Sequence, residues 1–249
     1  MQISPSYDLQ IWCYNAAVDE VSIERIAVLE DGLRLSVYRH LRGAGRALTR
    51  EEVAEATGIS RRLAAFHLEK LLEEGLLRSH YARPPGRGGP GAGRSAKYYE
   101  PSNVELSVSI PDRRYDLAGS LLVDAVRTAS KGEDAQATAL RVSEERGRAT
   151  GESVRRERRL GRPGPERTLS VAEEILGDYG YEPYRPERTT VALRNCPFHS
   201  LADQAPELVC SMNRSFIEGL VRGLGNASVE AVLECVPGDC CVTLKAPSR

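Results

Sequence analysis

The segment at residues 50–77, REEVAEATGISRRLAAFHLEKLLEEGLL, constrains the fold of this chain most strongly. Thr49 with Glu52 three residues later is typical of a capping box that starts a short helix. Gly58 then breaks that helix and supplies a tight turn, and Ser60 is a good N-cap for the helix that follows. The order of these signals predicts two short helices joined by a turn, which is the helix-turn-helix arrangement.

The two sides of this helix pair carry different residues. The apolar residues expected in the seam between the helices are Val53, Ala54, Ile59, Leu63, Leu68 and Leu71. The residues expected on the outer face, where a DNA-reading helix presents its side chains, are Ser60, Arg61, Arg62, Ala65, His67 and Lys70. Arg61 and Arg62 lie in the first helical turn, and an arginine there can bind guanine through two hydrogen bonds. His67 has two readings, contact with DNA or closure of the seam.

The stretch after the helix pair predicts a wing. Five cations and no acidic residue lie between Arg78 and Lys97. Short strands around Leu77 and Tyr98 flank the glycine-rich loop RPPGRGGPGAGRSAK, in which Arg87 and Arg94 lie near the tip. A flexible cationic loop can follow a phosphate backbone, so Arg87, Arg94 and Lys97 are predicted DNA contacts. The alternative is two ordinary core helices followed by a solvated linker.

The rest of the chain predicts an α+β fold that is mostly helical. Helices are expected near residues 22–41, 112–131, 169–178 and 207–224, and strands near residues 181–184, 189–193, 229–233 and 241–244. The expected organisation is an arm over 1–19, a winged helix-turn-helix over 20–103, a helical dimerisation or linker region over 104–168, and an α+β cysteine-containing sensor domain over 169–249. The polar stretch at 132–168 has two readings, a linker or a mobile helix.

Composition excludes several classes of protein. The net charge is only −1, so the chain has no overall field that would attract nucleic acid, and the local basic stretch carries that signal alone. The sequence has neither an apolar run long enough to span a membrane nor a signal peptide, which predicts a cytoplasmic protein without a disulfide framework. It has no Ser/His/Asp order, no P-loop and no dinucleotide fingerprint, so we expect no enzyme.

Five of the six cysteines lie after residue 195, and no CxxC pair occurs. Cys196 precedes a proline and is expected in a turn, while Cys210 lies early on an amphipathic helix. Cys240 and Cys241 begin a strand, so their side chains should point to opposite faces, with Cys240 on the apolar face. Thiolates from three separate elements can hold an iron–sulfur cluster. The alternatives are buried cysteines without a metal, or a zinc site that adds His199.

The segments TREEVAEATGISRRLAAFHLEKLLEEGLL and YARPPGRGGPGAGRSAKYYEPS resemble the winged helix of ArsR/MarR-type bacterial regulators. More narrowly, they are similar to regulators related to the repressor of the Suf iron–sulfur assembly operon, over about residues 22–102. The resemblance implies a homodimer that reads two half-sites of a double-stranded DNA operator. It also implies a three-cysteine cluster site that starts at a CPF motif, which matches Cys196, Cys210 and Cys240. The implied cluster is 4Fe–4S or 2Fe–2S, and His199 or Cys241 is a possible fourth ligand.

Three functions are compatible with these observations. The first is a DNA-binding transcriptional regulator that senses iron–sulfur or redox status through its C-terminal cysteines. The second is a winged-helix regulator whose C-terminal domain binds an organic ligand or zinc, or only dimerises. The third is a metal-dependent enzyme with an accessory winged helix, for which Glu207 is the one general acid–base candidate.

Overall fold

The computed structural model describes residues 20–83, 95–130 and 132–247. They form two compact units that divide between Val108 and Ser109, here called the N-terminal unit (20–108) and the C-terminal unit (109–247). The predicted helical region 104–168 and sensor domain 169–249 therefore share one compact unit for most of their length. The predicted arm at 1–19 lies outside the described residues.

The N-terminal unit is built of short helices and a small sheet. Its elements are α1 (Glu20–Ala27), α2 (Gly32–Ala44), β1 (Leu48–Thr49), α3 (Arg50–Thr57), α4 (Arg61–Glu73), β2 (Leu77–Ala82) and β3 (Ala96–Pro101). The three strands are antiparallel in the order β1-β3-β2. A 3₁₀ turn at Val28–Glu30 interrupts the helix predicted near 22–41. Helix α2 restarts there because the Asp31 carboxylate accepts hydrogen bonds from the backbone N–H groups of Leu33 and Arg34.

The core of this unit joins α2, α3, α4 and the sheet. It contains Val37, Leu41, Leu48, Val53, Ala54, Ala64, Leu68, Leu71, Leu76, Leu77 and Tyr99. Four predicted seam residues, Val53, Ala54, Leu68 and Leu71, are buried, whereas Ile59 and Leu63 are only partly buried. The apolar spacing of the two helices thus identified the faces that pack together.

The C-terminal unit combines five helices with one sheet among its described residues. The helices are α5 (Tyr115–Thr128), α6 (Ala135–Glu157), α7 (Pro165–Asp178), α8 (His199–Gln204) and α9 (Pro206–Gly223). The strands are β4 (Pro183–Glu187), β5 (Thr190–Leu193), β6 (Glu230–Leu233) and β7 (Val242–Lys245). They form an antiparallel sheet in the order β4-β5-β7-β6. The predicted α+β, mostly helical fold class is confirmed.

Helices α6 and α9 pack closely enough that their backbones touch. A Cβ atom added at Gly147 would lie 1.9 Å from the Phe216 carbonyl oxygen, and one added at Gly219 would lie 2.1 Å from the Glu144 carbonyl oxygen. Gly151 and Gly223, each four residues further along, meet the same restriction. The polar stretch at 132–168 is therefore neither a linker nor a mobile helix over Ala135–Glu157, but one side of a tightly packed helix pair.

Helix α5 buries only part of its apolar side chains. Leu117 and Leu121 lie in the core, whereas Leu122 and Val126 are exposed. Val126 is 81% exposed and Val123 is 57% exposed, so the helix has a second apolar face directed away from the core of its own unit. No helix of the described residues has the length and apolarity that crossing a membrane requires.

Candidate nucleic-acid interface and cysteine site

Both ends of α3 are set by local interactions. The Thr49 hydroxyl accepts from the Glu52 N–H at 3.3 Å, and the Glu52 carboxylate accepts from the Thr49 N–H at 2.8 Å. These two bonds form the predicted capping box, and a hydrogen bond from Arg46 is the main cause that lowers the pKa of Glu52. Gly58 ends α3 with φ of 68°, a left-handed conformation that glycine adopts without strain. The turn directs α4 across α3.

The first turn of α4 presents the predicted DNA-reading residues to solvent. Ser60, Arg61 and Arg62 are exposed, and Ser60 caps the helix by accepting from the Leu63 N–H at 3.2 Å. Among the described residues, neither arginine forms an ion pair, so both guanidinium groups can bind an external anion or a base edge. Ala65 and Lys70 are partly exposed, and Lys70 pairs with Glu73 at 2.6 Å.

His67 is buried and does not lie on the exposed outer face, where the sequence analysis expects it. Its side chain is 2% exposed, and the Arg34 Nε donates to its Nδ1 at 3.5 Å. Nε2 is buried and has no hydrogen-bond partner in the described part of the chain. Besides α3, helix α2 also packs on α4, and Arg34 of α2 covers this position. The other reading of His67, closure of the seam, describes its location.

Phe66 is an outer-face residue that the sequence reasoning missed. It is 52% exposed on α4, one turn after Arg62, and its ring packs edge-on against His67 at 5.4 Å between centroids. The available signal was its position four residues after Arg62, which places both side chains on one face. An exposed aromatic ring beside two arginines suits an apolar contact with a thymine methyl group.

The two wing strands pair as predicted, but their charges are partly neutralised. Strands β2 and β3 are antiparallel from Leu77↔Pro101 to Ala82↔Ala96. Lys97 forms an ion pair with Glu69 of α4 at 2.7 Å, and Arg78 pairs with Glu100 at 3.1 Å. Lys97 therefore ties the wing to α4 in addition to any DNA contact. Arg87 and Arg94 lie outside the described residues.

Glu69 also holds the wing through a tyrosine. The Tyr99 hydroxyl donates to Glu69 Oε1 at 3.1 Å. Burial of the ring and the neighbouring Glu69 charge raise the pKa of Tyr99 to about 12. One carboxylate on α4 thus accepts from two residues of β3, which fixes the wing relative to the reading helix.

In the C-terminal unit, the late cysteines come together from three parts of the chain. Cys196 follows β5, Cys210 lies in the first half of α9, and Cys240 and Cys241 immediately precede β7 rather than beginning it. The Cys240 N–H donates to the Leu193 carbonyl at 2.7 Å, which places Cys240 beside the end of β5. Cys240 is 4% exposed and belongs to the core, as its predicted place on the apolar face requires.

These thiols interact in two pairs. A hydrogen bond from Cys240 lowers the pKa of Cys196 to about 7, and the same bond together with burial raises the pKa of Cys240. Cys210 interacts with Cys241 by a second thiol hydrogen bond, and burial raises the pKa of both. The sulfur groups of all three predicted ligands therefore lie in one neighbourhood, with Cys241 beside Cys210.

A buried polar chain supports this neighbourhood. The Asn213 side chain donates to Cys240 Sγ at 3.3 Å and accepts from the Tyr181 hydroxyl at 2.6 Å. On the other side, Arg113 donates to Asn195 Oδ1 at 2.5 Å and to the Cys196 carbonyl at 3.4 Å. The turn that carries Cys196 is therefore held from both sides, and none of these supporting residues was singled out from the sequence.

The candidate fourth ligands have different surroundings. The His199 side chain is 60% exposed and its Nε2 lies 3.5 Å from an Asp203 carboxylate oxygen, whereas Cys241 is partly buried beside Cys210. Among the described residues, no three His, Cys, Asp or Glu side chains have the mutual spacing that a single metal ion requires. A single zinc ion draws its thiolates to about 2.3 Å from one point, whereas a cluster binds its cysteines through several iron atoms.

Comparison with known protein families bears on the candidate nucleic-acid interface of the N-terminal unit. The family model for a helix-turn-helix domain matches residues 29–80, which span α2, α3, α4 and most of β2. No curated protein matches the chain. The matched segment ends within the first wing strand, and the structure adds the second strand and its pairing. The N-terminal unit therefore contains a helix-turn-helix domain with a paired wing, which supports a DNA-binding transcriptional regulator.

Proposed function

We propose that this regulator binds a double-stranded DNA operator as a homodimer and senses iron–sulfur or redox status through a cluster held by Cys196, Cys210 and Cys240. The observation that carries the proposal is the convergence of these cysteines from three separate elements of a unit that accompanies a DNA-binding domain. A sensor needs a ligand whose loss changes the structure of its unit. Cysteine ligands on three separate elements meet that need, because loss of the cluster would free all three elements from one another.

The donor set favours a cluster over a single zinc ion. The site is rich in sulfur rather than in imidazole, and thiolates are the usual ligands of iron–sulfur clusters. The contact between Cys241 and Cys210 supports Cys241 as the fourth ligand in preference to the exposed His199. When bound, an iron–sulfur cluster supplies a redox centre.

The chain's own residues prepare these ligands. The hydrogen bond with Cys240 lowers the pKa of Cys196, which favours the thiolate form that binds iron. The Asn213 amide donates to Cys240 Sγ, and a hydrogen bond of this kind orients a ligand side chain. Arg113 and Asn195 orient the turn that carries Cys196.

Reconstitution of the full chain with iron and sulfide under anaerobic conditions tests the cluster. We expect a brown protein with absorbance near about 400 nm, and loss of bound iron on Cys196→Ser, Cys210→Ser or Cys240→Ser. Cys235→Ser is the matched control and should bind iron normally. A colourless protein without iron would contradict the proposed cluster. Zinc found by elemental analysis would indicate a zinc site instead.

DNA binding is tested separately with duplexes enriched from a random pool. We expect Arg61→Ala combined with Arg62→Ala to weaken binding at least about tenfold and to reduce the dependence of affinity on salt. Arg188→Ala is the matched control because its side chain is 87% exposed in the other unit. Unchanged affinity of the double variant would show that the first turn of α4 does not contact DNA. That outcome would not bear on the test of the cluster.

The second apolar face of α5 supports the homodimer. Leu122, Val123 and Val126 are exposed there, and a contiguous exposed apolar patch commonly marks a protein interface. Light scattering during size-exclusion chromatography should give a dimer for the natural chain and a monomer for Val123→Glu with Val126→Glu. Val236→Glu, at another exposed valine, should remain dimeric. A monomeric natural chain would contradict the proposal.

A further inference from the structure

The loop between β6 and β7 holds a pair of thiols that joins Cys235, which is not a proposed cluster ligand, to Cys241, the proposed fourth ligand. Cys235 Sγ lies 2.8 Å from Cys241 Sγ, six residues further along the chain. Cys235 is exposed and Cys241 is partly buried. An exposed thiol in contact with a second thiol is the arrangement that thiol–disulfide exchange requires.

The backbone brings these cysteines together. The Asp239 N–H donates to the Val236 carbonyl at 3.1 Å, and Gly238 has φ of 92° after Pro237. Proline followed by a residue with positive φ is the sequence of a type II turn. Next to the turn, the Glu234 N–H donates to the Cys241 carbonyl at 2.8 Å and continues the pairing of β6 with β7. The hairpin therefore fixes the contact between the two sulfur atoms before any oxidation.

The other thiols of this unit have different surroundings. Cys240 is buried in the core and interacts with Cys196, so neither is the first thiol that a dissolved reagent meets. Cys210 lies on α9 and its thiol contact is with Cys241. Cys235 is the most exposed of the five, and Cys241 is the thiol it touches.

We propose that Cys235 and Cys241 form a thiol–disulfide exchange site whose substrate is a low-molecular-weight disulfide. The Cys235 thiolate attacks one sulfur of that disulfide, which forms a mixed disulfide and releases one thiolate. The Cys241 thiolate then attacks Cys235 Sγ, which forms the bond between Cys235 and Cys241 and releases the second thiolate. Two electrons pass from the cysteine pair to the small disulfide, and the two protons of the cysteines end on the two released thiols.

This exchange changes the partner of Cys210. Cys241 contacts both Cys210 and Cys235, and a sulfur bonded to Cys235 no longer presents a thiol to Cys210. Oxidation at the surface of the hairpin thus reaches one of the proposed cluster ligands through a single residue. The exchange itself needs neither DNA nor a cluster, so its test and the tests of the proposed function can fail independently.

Peptide mapping of the full chain after incubation with glutathione disulfide tests the exchange. The remaining thiols are alkylated, and the chain is then cleaved on the N-terminal side of its aspartates. The cut between Gly238 and Asp239 places Cys235 and Cys241 on separate peptides. We expect one linked pair of peptides that contains Cys235 and Cys241 and that separates on treatment with dithiothreitol.

Three variants assign the bond. Cys235→Ser and Cys241→Ser should each abolish the linked peptides, whereas Cys210→Ser should keep them. A glutathione adduct on Cys235 that never resolves into the linked peptides would overturn the proposal, and so would a bond from Cys235 to Cys240 or Cys210. Fragmentation spectra of the linked peptides from the natural chain distinguish these bonds directly, so the result does not depend on the folding of any variant.

Discussion

The side-chain amide of Asn213 donates a hydrogen bond to Cys240 Sγ at 3.3 Å. The same side chain accepts from the Tyr181 hydroxyl at 2.6 Å, and all three residues are buried. A helix, the residues just before β7 and the loop before β4 are thus joined through one amide. In a buried site each of these groups depends on the others, because an unpaired polar group there has lost its water without gaining a partner.

Removal of the Tyr181 hydroxyl should expose this dependence. Tyr181→Phe leaves Asn213 Oδ1 without its donor, and we expect the free energy of unfolding to fall by about 1–3 kcal/mol. Chemical denaturation measures the change. Tyr115→Phe is the matched control, because its hydroxyl bonds to Ser200 at an exposed position, and it should cost less than about 0.5 kcal/mol. Equal effects of the two substitutions would argue against a coupled buried network.

The contact of α6 with α9 predicts a strong response to added side-chain volume. Gly147→Ala or Gly219→Ala places a Cβ atom about 2 Å from a carbonyl oxygen of the other helix, so the helices must separate. We expect a loss of stability of at least about 3 kcal/mol in thermal or chemical unfolding. Gly119→Ala, on an exposed part of α5 with open space around it, should instead stabilise by about 0.5–1 kcal/mol. A mild effect at Gly147 would mean that the helices are further apart.

The buried position of His67 makes an apolar replacement favourable. His67→Leu removes the unpartnered Nε2 and keeps the packing of α4 in the described core, so we expect unchanged or increased stability. Affinity for DNA should stay within about twofold of the natural chain, since the side chain does not reach the outer face. A tenfold loss of affinity for DNA with an intact fold would show that His67 contributes to DNA binding.

The capping box of α3 gives a pH-dependent contribution. The Arg46 hydrogen bond lowers the pKa of Glu52 in the folded chain, so the ionised carboxylate stabilises the fold above the pKa of the unfolded chain. That contribution is lost as the pH falls through the lowered folded pKa. Glu52→Gln keeps the box but removes the charge, and it should cost less than about 1 kcal/mol at pH 7 because the pair is exposed.

In acid, the difference in stability between the natural chain and Glu52→Gln should disappear. Denaturation below the folded pKa of Glu52 should show no difference between the natural chain and Glu52→Gln, since both side chains are then neutral. Thr49→Ala removes the cap itself, so it should cost about 1 kcal/mol at either pH. A difference for Glu52→Gln that persists in acid would contradict the electrostatic origin.

Local signals in the sequence determined the winged helix. The capping box of Thr49 and Glu52, the turn at Gly58 and the Ser60 cap each act within four residues, so they are readable without knowledge of the rest of the chain. The apolar spacing of α3 and α4 likewise showed which faces pack. The exposed arginines of α4 follow from the same pattern, because residues next to a buried stripe on a helix face outward.

Only the tertiary structure decided what depends on distant neighbours. The burial of His67 needs α2, the ion pair of Lys97 needs Glu69 on another element, and the glycines of α6 acquire their role from α9. The spacing of the late cysteines suggested a shared site, but the pairing of their thiols follows from the packing of three elements. Local sequence sets backbone conformation over a few residues, whereas burial and side-chain partners are set by segments far apart in the chain, which no single pattern encodes.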